Sequence, residues 1–271
     1  MSQRCEVVSD TARIETFLRS DSATHLYALA DLDVEFFAHS TWWMLSDEGR
    51  DLAVAFVLEG FEPPLLAALD STGEGHDRTI LSSIASELGD EYFVNLMPGA
   101  AESLSDSFDF DDDGLHSKMI WRTDEQRPPA NSATLDGEPV VVEGLGREHT
   151  DEIERLQRST PDAGRVFAPE MLAADTYFGI RDGTDLVAMA GTHVFSTQRR
   201  VAAIGNVLTH PNYRGQGLGT ACTVEVMKRV QPHVDHIGLN VGNDRVVAQR
   251  IYARLGFEHV VNYVEGTLRS R

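Results

Sequence analysis

"YRGQGLGT", residues 213–220, alternates three glycines with larger residues between a β-type segment and a helical one. Upstream, "TYFGIRDGTDLVAMAGTHVFSTQRRVAAIGNVLTH" reads as three strands, with Asp182-Gly183 as the turn between the first two and "STQRR" joining the second and third. Downstream, apolar and small residues recur at helical spacing from about Leu218 to Val230. Glycine takes positive φ without penalty and lets the backbone approach a ligand closely. The first N–H groups of the following helix have no intrahelical acceptor, and the helix dipole favours an anion there. Gly215, Gly217 and Gly219 supply the freedom, Arg214 adds a cation, and Thr220 adds a hydroxyl.

Three phosphate-binding readings compete for this loop. A Walker loop is excluded, because no Lys-Ser/Thr pair follows the glycines. A dinucleotide fingerprint needs G-x-G-x-x-G running directly out of a strand. Here the third glycine comes one position early, His210-Pro211-Asn212 intervenes, and too little chain follows for a doubly wound sheet. The third reading is a loop for the pyrophosphate of coenzyme A.

The rest of the C-terminal half gives "PVVVEGL" (139–145) as a strand, "REHTDEIERLQRST" (147–160) as an amphipathic helix and "APEMLAAD" (168–175) as a short helix. After the glycine loop and its helix come a buried strand "HIGLNV" (236–241) and a helix "RVVAQRIYARL" (245–255) closed by Gly256. "FEHVVNYVEGTL" supplies one or two final strands. The N-terminal half repeats this element order weakly. It has a strand "RCEVV", helical "DTARIETFLRSDSATHLYALADL", a three-strand meander, helical "RTILSSIASEL", a strand "EYFVNLM", helical "GAAESLSDSF" and a strand "LHSKMIWRT". In place of "YRGQGLGT" it has "STGEGHDRT" (71–79), which confines the expected phosphate site to the second half. The charged, Pro-Pro-containing stretch "RTDEQRPPANSATLDGEP" marks a boundary. The expected division is residues 1–125, a linker at 126–138, and residues 139–271. The expected fold class is α+β, with an α/β mixed sheet.

Composition sets outer bounds. The formal net charge of −20 argues against nucleic acid as a partner, since phosphate binding needs basic surface. It fits either an acidic face that attracts cationic amines or a solubility adaptation such as life in high salt. No stretch approaches the roughly 20 apolar residues of a membrane span, and "MSQRCEVVSDTARIE" carries no secretory signal pattern, so a cytoplasmic location is expected. Cys5 and Cys222 are too few for a zinc site or a disulfide framework. "DFDDDG" (109–114) opens like a calcium loop, but the twelfth position is Ile120 rather than Glu, so a solvated acidic turn is the better reading.

Two stretches together carry a family resemblance. "THPNYRGQGLG" resembles the cofactor loop of the GNAT superfamily of acyl-CoA-dependent N-acyltransferases, where Arg214, Gly217 and Gly219 fit the pattern. "AQRIYARLGF" (248–257) resembles its second signature, an Ala, a Tyr four residues on, then Gly-Phe. They stand in the family's order and separation, and the resemblance covers about 139–268. Tandem members with a decayed first half occur in the superfamily, and the N-terminal half is similar to that: a degenerate GNAT-like domain.

The resemblance implies acetyl-CoA as co-substrate and no metal. It implies that the strand end at Val207, Leu208 and Thr209 splays from its neighbour and pairs with the pantetheine arm. The pyrophosphate falls to Arg214, Gly215, Gln216, Gly217, Leu218, Gly219 and Thr220. Tyr252 is the implied general acid for the leaving thiolate. Many members carry a Glu on the strand before the loop, and the comparable position here is Ala203, which leaves the base open between His193 and Asn206. A histidine has a suitable unperturbed pKa near 6.5. His210, beside Pro211, reads as loop-shaping. The family's cofactor asparagine slot holds Arg245, with Asn243 two residues upstream. The expected activity is transfer of an acetyl or small acyl group to a primary amine on a small molecule or peptide. Attack is direct, with no covalent intermediate, no nucleic acid and no membrane, in a monomer or homodimer. A non-catalytic acyl-CoA sensor or scaffold is the alternative, and a nucleotide-binding oxidoreductase the third reading.

Overall fold

A computed structural model describes residues 3–70, 72–122, 128–130, 133–135, 137–160 and 167–271. The chain runs β1 (Arg4–Val7), α1 (Thr11–Leu18), α2 (Leu26–Ala30), α3 (Val34–Phe37), β2 (Ser40–Asp47), β3 (Arg50–Leu58), β4 (Leu65–Ala68), α4 (His76–Ile84), β5 (Glu91–Leu96) and β6 (Phe108–Arg122). It continues with β7 (Thr134–Leu135), β8 (Glu138–Pro139), β9 (Glu143–Gly144), α5 (Thr150–Arg158), β10 (Phe178–Asp182), β11 (Asp185–Ser196) and β12 (Val201–Thr209). The last elements are α6 (Leu218–Val230), β13 (His236–Gly242), α7 (Val246–Arg254) and β14 (Glu258–Ser270).

Two compact units result. One gathers Met1–Met119, Val241–Gln249 and His259–Arg271, and the other Ile120–Asn240 and Arg250–Glu258. The division is therefore not a single cut: β14 groups with the N-terminal part, whereas sequence reading runs 139–271 as one stretch. Strands pair by register rather than by sequence distance, and β14 lies antiparallel to β5 from Val264↔Leu96 to Arg269↔Glu91.

In the first unit β2, β3 and β4 form an antiparallel meander, α4 crosses over, and β5 returns parallel to β4. The turn from β2 to β3 places Glu48 and Gly49 at φ 49° and 82°. Helix α1 starts where the Asp10 carboxylate accepts from the N–H groups of Ala12 and Arg13, and it buries Ile14 and Leu18. Trp43, Leu45, Ile80, Leu81, Ile84, Val94 and Leu268 are among the core residues that close this unit.

The second unit repeats the pattern. β10, β11 and β12 are an antiparallel meander, α6 crosses over, and β13 returns parallel to β12. Gly183, at φ 59°, makes the expected turn between β10 and β11. Buried Ile153 and Leu156 of α5 pack with Tyr177, Leu186, Met189 and Leu208 on the same face of the meander. Each unit is thus a mixed sheet with helices, as the α+β reading expects.

Several local expectations change. "GAAESLSDSF" and "APEMLAAD" form 3-10 turns at Ala100–Leu104 and Pro169–Ala174 rather than α-helices. "PVVVEGL" contributes only Pro139 to β8 and the short β9. "DFDDDG" lies inside β6, extended rather than turned. The expected linker at 126–138 falls partly outside the described residues, and its described part holds the β7–β8 hairpin. No helix of the described residues is long and apolar enough to cross a membrane. No group of three or more His, Cys, Asp or Glu among them is placed to hold a metal.

Candidate functional site

The parallel pairing of β12 with β13 runs from Val201↔His236 to Ile204↔Leu239 and stops there, although β12 continues to Thr209. On its other side β12 stays paired with β11, through two register shifts, as far as Met189↔Leu208 and Ala188↔Thr209. The edge from Gly205 to Thr209 that would face β13 thus has no parallel partner register, and the strand end opens. A buried, unpaired stretch of backbone is costly unless something supplies its hydrogen bonds. Val207, Leu208 and Thr209, the residues expected to pair with an extended arm, lie on that edge. Leu208 points into the core, while a Cβ built on Gly219 would meet Thr209 Oγ1 at 2.9 Å and Val207 Cγ1 at 3.6 Å. Alternation along the strand therefore puts Val207 and Thr209 against the start of α6.

The glycine loop follows. His210 Nδ1 accepts from the Asn212 N–H at 3.3 Å and the His210 ring stands edge-on to Tyr213, which fits its loop-shaping reading. Tyr213 Oη donates to Asp182 at 2.6 Å, and Arg214 Nε donates to the Thr209 carbonyl at 3.3 Å, so the loop is tied to the strand ends on both sides. Gly215 and Gly217 stand at φ 81° and 78° in the left-handed region. Gly217 is the N-cap of α6 and brings no side-chain cap, so the first-turn N–H groups face outward with the dipole behind them. No described hydrogen bond engages the N–H of Gly215, Gln216 or Gly217. Leu218, 1 % exposed, pins the helix start in the core. Gly219 has no room for a side chain. These features fit a diphosphate on the loop and an extended arm along β12.

The first unit holds a similar loop backbone in "STGEGHDRT". Gly73 and Gly75 stand at φ 72° and 78°, with Gly75 the left-handed N-cap of α4. What differs is the filling. The Asp70 carboxylate accepts from Thr72 N–H at 2.7 Å, Thr72 Oγ1 at 2.6 Å, Gly75 N–H at 2.9 Å and His76 N–H at 3.2 Å. Burial raises the Asp70 pKa, but the hydrogen bonds from Thr72, Gly75 and His76 outweigh it and hold the carboxyl below its ordinary value. Pairing of β4 with β5 also persists to Ala68↔Leu96, seven residues before Gly75, whereas β12–β13 pairing ends thirteen before Gly217. Among the described residues the first unit has neither an open loop nor a splayed strand pair; Ser71 of its loop lies outside them.

His193 and Asn206 are brought together. Asn206 adopts φ 51°, an uncommon conformation for a residue with a Cβ, and is 9 % exposed. Burial pulls the His193 imidazole down to about 4, against a smaller upward push from its hydrogen bond to Asn206. His193 is neutral near pH 7, and a standing base of pKa near 6.5 is not what the fold provides. Its ring lies against Gly205, where a Cβ would come within 2.2 Å. Asn206 Nδ2 donates to Tyr177 Oη at 2.9 Å, and Tyr177 Oη donates to the Thr192 carbonyl at 3.0 Å. Sequence reading missed Tyr177. The available signal was Gly191 and Gly205, two strand glycines that turn out to be register partners.

Tyr252 lies on α7 with its ring edge-on to Phe257, and burial pushes its phenol up to about 12. No described hydrogen bond or ring contact joins it to the His193–Asn206–Tyr177 group. Asn243 and Arg245 group with the first unit, and the glycine loop with the second. Asn243 Oδ1 accepts from Ser117 Oγ at 2.7 Å and its N–H donates to the Leu115 carbonyl, which gives it a structural role between strands. Arg245 Nε stands 3.6 Å from Asp244. Ala203, where many relatives carry a Glu, is fully buried. Burial raises the thiol pKa of both Cys222 and Cys5, so each is protonated near neutral pH.

Known proteins fit this geometry. The sequence model described as "Acetyltransferase (GNAT) family" matches residues 145–257, which include the splayed strand, the loop and Tyr252. Among solved structures, a GCN5-related N-acetyltransferase from Sphaerobacter thermophilus is 14 % identical with a TM-score of 0.62, over 99 % of this chain and 95 % of that one. A GCN5-related N-acetyltransferase from Kribbella flavida is 18 % identical with a TM-score of 0.53, over 97 % and 96 %. A tandem GNAT protein from the clavulanic acid biosynthesis pathway is 14 % identical with a TM-score of 0.57, over 98 % of both chains. A search of curated proteins gives no match. The second half, residues 145–257, thus carries the signature of the acetyltransferase (GNAT) family, and the whole chain shares the fold of tandem GNAT proteins.

Proposed function

We propose that the chain transfers an acetyl or small acyl group from acyl-CoA to a primary amine by direct attack, using the second unit. The observation that carries this reading is the coincidence of the opened β12 edge with the left-handed, uncapped glycine loop at the start of α6. Loop amides of Gly215, Gln216 and Gly217, with the first turn from Leu218 to Thr220, hold the diphosphate, and Arg214 adds positive charge. The free backbone edge at Val207, Leu208 and Thr209 orients the arm. Acyl-CoA supplies an activated thioester. Tyr252, with its phenol held protonated, donates to the departing sulfur. His193 is the titratable side chain on β11 and β12 beside Asn206. Being neutral, it accepts a proton from the incoming amine and, being weakly basic, hands it on to solvent. Neither thiol serves as a nucleophile, because burial keeps both protonated. The net charge of −20 suits a cationic acceptor.

The test is thiol release from acetyl-CoA across a panel of primary amines, for the wild type and Tyr252→Phe. Amine-dependent release that falls in Tyr252→Phe with acetyl-CoA affinity retained supports the reading. Tight acetyl-CoA binding without release on any amine sinks it in favour of the sensor, for which the missing strand Glu speaks.

A further inference from the structure

We propose that Tyr177 is a positioning residue for acyl transfer, setting Asn206 and through it His193 at the opened end of β12. The inference rests on the acyltransferase reading for its kinetic part only. Tyr177 precedes β10, is 1 % exposed, and lays its ring on Gly191, where a Cβ would come within 2.3 Å. That ring position requires glycine at 191, just as the His193 ring requires glycine at 205, and the two glycines face each other across β11 and β12. The β11–β12 register shifts between Met189 and Gly191 and again between Thr192 and Val194, so the ladder is interrupted on both sides of this point. The Tyr177 hydroxyl spans the interruption, donating to the Thr192 carbonyl on β11 and accepting from the Asn206 amide on β12. A second bridge, Thr176 Oγ1 to Thr192 Oγ1 at 2.7 Å, holds the same segment.

Asn206 is where this arrangement matters. Its left-handed backbone lies two residues past Ile204, the last residue paired with β13, on the free edge that leads to Val207, Leu208 and Thr209. An asparagine tolerates that conformation but does not enforce it. The side-chain bond to Tyr177 fixes the amide, and with it the direction in which the strand leaves its partner and the face it offers to His193. Small displacements at such a point are costly for reaction rate and cheap for binding.

The test uses the full chain with Tyr177→Phe, which keeps the ring on Gly191 and removes the hydroxyl, with Asn206→Ala and with the double variant. Tyr177→Phe is expected to lower kcat about tenfold or more while KM for acetyl-CoA stays within about twofold. In the Asn206→Ala background the same change should have no further effect, because the hydroxyl acts through Asn206. Additive losses, or a kcat unchanged in Tyr177→Phe, overturn the proposal. A second readout does not depend on turnover: amide hydrogen exchange of residues 201–209 should accelerate in Tyr177→Phe and to no greater extent in the double variant. If the wild type releases no thiol, the acyltransferase reading fails by itself and exchange decides the positioning claim. Unchanged exchange overturns it.

Discussion

Replacing Asp70 tests how the first unit closes its loop. Its carboxylate accepts four hydrogen bonds at 2.6–3.2 Å, three from the N–H groups of Thr72, Gly75 and His76 and one from the Thr72 hydroxyl. At about 1 kcal/mol net for each bond, and with part of the loss recovered by water at the exposed Thr72–Glu74 stretch, Asp70→Ala should destabilise the first unit by about 2–3 kcal/mol. Asp70→Asn keeps one acceptor oxygen and should lose roughly half of that. Urea unfolding reads the change as a lower midpoint at constant slope. The sign with pH is fixed by the direction of the shift. Because the folded-state pKa is depressed, the contribution is present in full above the unfolded value of about 3.9 and is lost as pH falls through the folded one. The gap between wild type and Asp70→Asn should therefore be wide near pH 7 and narrow as pH falls below the unfolded value of about 3.9. A variant as stable as wild type at pH 7, or a gap that does not narrow as pH falls below about 3.9, refutes the reasoning.

Gly219→Val places a side chain against Thr209 Oγ1 and should weaken acetyl-CoA binding by tenfold or more in a calorimetric titration; unchanged affinity would remove the loop from the site. Gly205→Ala drives a Cβ into the His193 ring and should cost about 1–3 kcal/mol in denaturant unfolding and displace the imidazole, so a silent substitution would contradict the packing. Since burial holds His193 near 4, the folded state binds fewer protons than the unfolded one between about pH 4 and 6.5, and stability falls as pH drops through that window. Buried His25, also held near 4, contributes likewise. The share belonging to His193, up to about 3 kcal/mol, should vanish in His193→Gln, and an equal pH dependence in that variant would refute the assignment. By the same shift, the kcat/KM profile should show no His193 limb near pH 6.5, which a pH series with one amine checks directly.

The second unit was legible where local rules act alone. The periodicity after Leu218 gave the helix, Asp182-Gly183 gave its turn, and the loop glycines gave their left-handed backbone. What depended on distant partners was not legible. Asn243 looks like a cofactor ligand by spacing, yet Ser117 claims its side chain from far along the chain. β14 reads as the end of one domain because pairing with β5 leaves no mark in either strand's own composition. Tyr177 reads as one more apolar residue opening a strand, and only the two glycines it and His193 require hint at its place. His193 is a candidate base on its unperturbed pKa, whereas burial decides the actual one.

The two glycine loops show that a shared backbone does not make a shared site. Gly73-Glu74-Gly75 and Gly215-Gln216-Gly217 carry the same backbone, because two left-handed positions spaced by one residue are all the turn into the helix demands. Binding capacity is set elsewhere. In the first unit Asp70, five residues before the helix cap, puts a carboxylate on the amides, and β4 stays paired with β5 up to the loop. In the second unit the residue five before the cap is Asn212, which is exposed, and β12 leaves β13 at Ile204. A glycine pattern thus specifies a loop conformation, while the nearby carboxylate and the extent of strand pairing determine whether that conformation is free to take an outside anion.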